Sequence, residues 1–141
     1  MKFRYTKYPS KPSPSHPTRK SVLRPVIPIR LIYQDNHSPW YDSLIDSGAD
    51  YCIFHAEMGE LIGMDVKKGK LMDFVGISGK PQKAYFHNIA IEIGGLKYEC
   101  YAGFSYDIET LPYGILGQDG FFNLFIVIFD LKKRSIELIR K

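Results

Sequence analysis

At 141 residues, 45% of them hydrophobic and with a formal net charge of +4, the chain is long enough to bury one core and too short for two large lobes. The charge is uneven: residues 1–24 hold seven of the 19 basic residues and no acid, so the remainder carries all 15 acids and is net negative. No apolar run approaches the ~18 residues of a membrane-spanning helix, and the polar, proline-rich N-terminus is unlike a secretory signal, so a soluble, cytoplasmic protein without membrane association is expected.

Residues 1–20 place Pro9, Pro12, Pro14 and Pro17 among serines and lysines. Such a stretch offers too little apolar surface to offset its ordering entropy, so a flexible or extended basic segment is expected ahead of a domain over 21–141. Its charge lacks a regular arginine and aromatic spacing, so it reads as a solvated leader and no nucleic-acid partner is expected. Residues 22–33 then alternate toward strand, with Pro25 and Pro28 confining them to an edge or a bulge. A turn over 34–39 leads into a second strand over 40–45.

Residues 51–54 form a short apolar run suited to a buried strand, and 56–62 suit a brief helix that Gly63 can close in the left-handed conformation. Residues 71–93 read as a long hairpin whose tip, Gly76-Ile77-Ser78-Gly79, is bracketed by glycines and expected to be mobile. Gly94-Gly95 turns the chain into an aromatic strand over 97–104, followed by a loop over 106–113. Ile115-Leu116 runs into Gly117 and a single helical turn, and strands over 124–130 and 136–139 close the chain. The fold class is mainly β, a small closed or partly closed barrel with one or two short helices.

The stretch that concentrates chemistry is Leu44-Ile45-Asp46-Ser47-Gly48-Ala49-Asp50. An apolar strand end delivers one carboxylate into a turn where Ser47 supplies a hydroxyl and Gly48 lets main-chain groups approach closely. Other chemistry finds little support. His16, His37, His55 and His87 lack ligand spacing, Cys52 and His55 read as strand and loop residues, and no metal or other cofactor is expected. Cys52 and Cys100 have no CxxC spacing and read as buried free thiols. There is no GxSxG motif, and the 76–79 tip lacks the lysine of a phosphate loop.

The Asp46-Ser47-Gly48-Ala49 sequence resembles the Asp-Ser/Thr-Gly-Ala signature of the retropepsin-like aspartic proteases. Gly114-Ile115-Leu116-Gly117 is similar to the hydrophobic-hydrophobic-glycine element those proteases place beside the catalytic loop. The 76–79 tip looks like their flap, and the terminal hairpin like their interface strands, so the resemblance spans residues 22–141. It implies a closed barrel of the acid-protease type and an aspartic endopeptidase acting on peptide or protein substrates. Asp46 would be catalytic. Because the sequence holds one Asp-Ser-Gly triplet, the second carboxylate would come from another copy in a homodimer with the site on its two-fold axis.

The same resemblance implies that Ser47 bonds across the two-fold and that Gly48 offers its carbonyl to substrate. Ala49, Asp50, Gly76, Ile77, Ser78 and Gly79 would contact the peptide. In viral relatives the acid at the Asp50 position is often held by an arginine after the later glycine; here Gln118 follows Gly117, which leaves Asp119 as a substitute polar anchor. The alternative is a non-catalytic peptide-binding or dimerisation module that keeps the fold. The leader is also expected to be an accessible target for self-cleavage.

Overall fold

The computed structural model describes residues 1–76 and 78–141, so Ile77 of the expected tip lies outside the described residues. In chain order the strands are β1 (Lys2–Arg4), β2 (Thr6–Pro9), β3 (Ser21–Arg24), β4 (Val26–Tyr33), β5 (Asn36–His37), β6 (Tyr41–Ile45) and β7 (Ile53–His55). Helix α1 (Ala56–Leu61) and a 3-10 turn (Val66–Lys68) follow, then β8 (Lys70–Val75), β9 (Pro81–Ile93), β10 (Leu96–Ser105), β11 (Gly114–Leu116), β12 (Phe125–Asp130) and β13 (Ser135–Arg140).

The central sheet runs β5-β4-β6-β11-β7-β10-β9-β8, and a further pairing of β4 with β9 joins the strands next to its two ends. The ring β4-β6-β11-β7-β10-β9 is therefore a closed barrel of six strands, as the composition and turn pattern suggested. Closure pairs strand edges that would otherwise be open to solvent. Pro25 breaks the first expected strand into β3 and β4, consistent with its missing N–H. Gly63 takes the left-handed conformation after α1, at φ +86°.

Long β9 explains how one small barrel serves two apolar clusters. Toward its C-terminal end Ile89, Ile91 and Ile93 point into the main core with Ile27, Ile29, Leu31, Phe54 and Phe104. Toward its start Ala84 and Phe86 are buried instead, on the other face, where they pack with Ile53 and Ile108 and with the partly buried Met72 and Phe74. The pairing of β9 with β10 is unbroken across this change, so no bulge intervenes: the strand simply uses both faces in turn.

Of the two states expected for the basic leader, flexible or extended, residues 2–4 and 6–9 are extended and paired. β1 pairs with β13, the Met1 ammonium donates to the Leu138 carbonyl at 2.8 Å, and β2 pairs with β3 in a hairpin. Phe3, Tyr5 and Tyr8 supply the apolar anchors that dispersed lysines and prolines hide in the sequence; Tyr8 stacks edge-on against Tyr113 at 5.6 Å. The boundary at residue 20 therefore falls inside a hairpin, and the stretch over 11–20 is its exposed connection. β1, β13 and β12 form a separate sheet of three strands. Among the described residues no helix is long and apolar enough to cross a membrane.

Candidate active site

β6 and β11 lie parallel, with Leu44 opposite Ile115 and Ile45 opposite Leu116, and β11 also meets β7 at Ile53. This pairing places the end of β6 and the end of β11 side by side. The Asp46 N–H donates to the Leu116 carbonyl at 3.0 Å, extending the ladder by one residue and fixing the aspartate backbone. The carboxylate is held by its own turn: the Gly48 N–H donates to Asp46 Oδ1 at 2.9 Å, and the Ala49 N–H to the Asp46 carbonyl at 3.2 Å. A Cβ at Gly48 would stand 3.2 Å from the same Oδ1, so glycine lets the turn close tightly on the carboxylate.

The segment after β11 crosses directly beneath this turn. The Gln118 N–H donates to the Ala49 carbonyl at 2.8 Å and the Asp119 N–H to the Asp50 carbonyl at 2.9 Å. Gly117 permits the crossing, since a Cβ there would overlap the Tyr51 carbonyl and lie 2.8 Å from the Ala49 oxygen. Fully buried Phe121 roots the segment in the core, with Phe125 5.2 Å away and Phe122 5.5 Å away between ring centroids. Residues 118–124 are turns apart from a bridge of Asp119 to Tyr51: Phe122 and Asn123 bond back five residues to Gly117 and Gln118, and the Phe125 N–H bonds back four to the Phe121 carbonyl at 3.2 Å, a single helical turn.

The residue after Gly117 has a different role from the one expected. Gln118 Nε2 donates to the Ser47 carbonyl at 2.6 Å, so a neutral amide ties this segment to the aspartate turn. The Asp119 carboxylate instead accepts from Asn123 Nδ2 at 3.3 Å, so Asp119 anchors the turn through its main chain and not as a polar substitute through its side chain.

A cleft of about 960 Å³ opens above the turn. Its floor carries Leu44, Asp46, Gly48, Ala49 and Asp50; one side carries Met72, Phe74, Val75, Gly76 and Gln82 from the β8–β9 hairpin. The other side is the 106–113 loop, through Asp107, Ile108, Thr110, Leu111 and Tyr113. The loop is joined to the hairpin, because the Lys83 N–H donates to Asp107 Oδ2 at 2.8 Å and Gln82 Nε2 to the Asp107 carbonyl at 3.1 Å. The size and mostly apolar walls suit an extended chain of several residues.

A barrel closed through β4 and β9 has counterparts among solved structures. The chain matches a retropepsin-like aspartic protease from Rickettsia conorii at a TM-score of 0.56 and 14% identity, over 99% of this chain and 98% of that one. It also matches the EIAV protease solved with the inhibitor HBY-793, at a TM-score of 0.50 and 17% identity, over 67% and 82% of the two chains.

The fold is retropepsin-like.

At these identities the shared property is the fold. No protein-family model and no curated protein sequence matches the chain. Within this retropepsin-like fold Asp46, Gly48, Ala49, Asp50 and Gly76 line one cleft. Ser47 is exposed beside them and contributes its carbonyl to Gln118. Ser78 and Gly79 are exposed at the hairpin tip and are not among the described residues that line the cleft.

Sequence reading did not single out Tyr51, Met72, Phe74, Asp107, Leu111 or Tyr113 as cleft residues. Their signal was weak: they are apolar or acidic residues in strands and loops whose facing depends on pairings distant in sequence. Cys52 and Cys100 are both buried and unpaired, and both sulfurs lie within 3.0 Å of where a Gly120 Cβ would stand. Among the described residues no group of three His, Cys, Asp or Glu side chains is placed to share a metal ion.

Proposed function

We propose that the chain is an aspartic endopeptidase, active as a homodimer, that hydrolyses peptide bonds with a water held between two Asp46 carboxylates. The supporting observation is the seat of Asp46: its carboxylate is fixed by the Gly48 N–H on the floor of a cleft wide enough for an extended peptide. Each chain supplies one such aspartate, so the pair is completed across a two-fold axis.

Two carboxylates brought that close cannot both ionise cheaply and share one proton, the behaviour known for aspartic-protease dyads. The ionised carboxylate takes a proton from the water as its oxygen attacks the carbonyl carbon. The protonated one donates to the carbonyl oxygen, giving a neutral gem-diol. Return of a proton to the amide nitrogen then breaks the C–N bond and releases an amine and a carboxylic acid. No covalent intermediate forms. In this reading Ser47 bonds across the two-fold and the Gly48 carbonyl receives a substrate N–H. Ala49 and Asp50 line the adjacent subsites. The hairpin tip, with Gly76, Ser78 and Gly79, folds down over the peptide as a flap.

The test is cleavage of a peptide library by wild type and by Asp46→Asn at mildly acidic and neutral pH. Cleavage that disappears in the variant supports the reading; equal cleavage by both removes Asp46 from the chemistry. A second reading, a peptide-binding module without turnover, is favoured by the neutral Gln118 where related proteases use a charged residue. Saturable peptide binding by wild type without any product would select it.

A further inference from the structure

His55, at the end of β7, has both ring nitrogens engaged: Nδ1 with the Tyr41 hydroxyl and Nε2 with the Leu111 carbonyl, the latter at 2.9 Å. The proton positions follow from the partners. A carbonyl can only accept, so Nε2 carries the hydrogen and donates to Leu111. Nδ1 of the neutral ring then accepts from the Tyr41 O–H, whose oxygen in turn accepts the His55 main-chain N–H at 3.2 Å. One neutral tautomer satisfies every polar atom in the set. Burial raises the tyrosine ionisation well above its usual range and keeps the hydroxyl a donor.

The sequence makes room for this constellation. A Cβ at Gly114 would lie 2.8 Å from Tyr41 Cε1 and 3.0 Å from its hydroxyl oxygen. Tyr41 also packs edge-on against His55, at 5.8 Å, and against Phe54, at 5.9 Å. Leu111 closes a turn with its N–H on the Ile108 carbonyl at 2.9 Å. The 106–113 loop is thus held at two places: Asp107 fastens it to the β8–β9 hairpin, and His55 fastens it to the barrel floor.

We infer that His55 is a positioning residue for substrate binding, latching the Leu111 end of the loop and so setting the width of the cleft opposite the β8–β9 hairpin. The kinetic consequence rests on the endopeptidase reading above; the structural consequence does not. His55→Phe keeps the ring packing and removes both nitrogens, whereas His55→Gln keeps one acceptor and one donor.

In peptide hydrolysis His55→Phe raises KM by about tenfold and changes kcat by less than about twofold, and His55→Gln restores most of the loss. A lower kcat at unchanged KM overturns the inference. Amide hydrogen exchange on the full chain gives a readout independent of turnover. His55→Phe accelerates exchange by about tenfold within residues 106–113 and leaves the barrel strands unchanged. That pattern in a protein without turnover sinks the endopeptidase reading alone. Unchanged exchange in the loop, or acceleration throughout the barrel, overturns the latch.

Discussion

Gln118 Nε2 donates to the Ser47 carbonyl at 2.6 Å, joining the segment after β11 to the turn that carries Asp46. Both residues are exposed, so the bond acts in partial competition with water. Gln118→Ala is expected to destabilise the fold by about 0.5–1.5 kcal/mol, the net value of one hydrogen bond. Urea denaturation gives the shift, and an unchanged midpoint would show that the bond is not maintained in solution.

Gly117 is more demanding, because what a side chain would meet there is backbone: the Tyr51 carbonyl carbon lies 2.6 Å from an ideal Cβ. Gly117→Ala is expected to cost at least about 1–3 kcal/mol and to displace the Asp46 turn. Gly79→Ala makes the contrast. Among the described residues nothing lies within 4 Å of a Cβ there, and its φ of +73° is strained, so the loss is about 1 kcal/mol and the floor is untouched. Comparison of the two denaturation midpoints checks the order.

The Asp46 turn and the Ile115-Leu116-Gly117 element were legible in the sequence because their chemistry is local: a strand end, a carboxylate and a glycine within three residues. The long 81–93 strand was legible in its second half, where three isoleucines alternate. Its first half was not fully read, because the use of Ala84 and Phe86 on the opposite face depends on Ile53 and Ile108, far along the chain. The pairing of the leader is hidden for a similar reason. β1 finds its partner in β13 at the other end of the chain, and no window of local composition contains that pairing. In the sequence Gln118 stands out for the charge it lacks, whereas the structure uses its amide hydrogen.

Phe121 has no exposed surface and supports the whole crossing segment from below. Phe121→Ala is expected to destabilise the protein by about 3–5 kcal/mol, more than any surface change near the cleft. Calorimetric melting with wild type as reference tests this. A loss no larger than that of Gln118→Ala would mean that the segment is held from above.

Two tyrosines predict the alkaline limit of stability. A hydrogen bond to the Glu60 carboxylate raises the Tyr106 hydroxyl from 10.0 to about 12, and burial raises Tyr41 further. Folded values above the unfolded value mean that the neutral phenols favour the native state. Their contribution is complete below about pH 10 and is lost as pH rises through the folded values. Tyrosinate absorbance should therefore show Tyr106 ionising near 12 in wild type, and in Glu60→Gln nearer the ordinary value. No change on removing Glu60 would assign the shift elsewhere.

In the proposed endopeptidase Asp46 is half of a site which a second copy of the chain completes. Subunit mixing tests it directly: wild type and Asp46→Asn are combined in varying proportion at fixed total concentration, allowed to exchange, and assayed for peptide cleavage. A site built from two aspartates predicts activity proportional to the square of the wild-type fraction, because only wild-type pairs carry both. Activity that falls linearly with that fraction, or that persists in the pure Asp46→Asn protein, would contradict it.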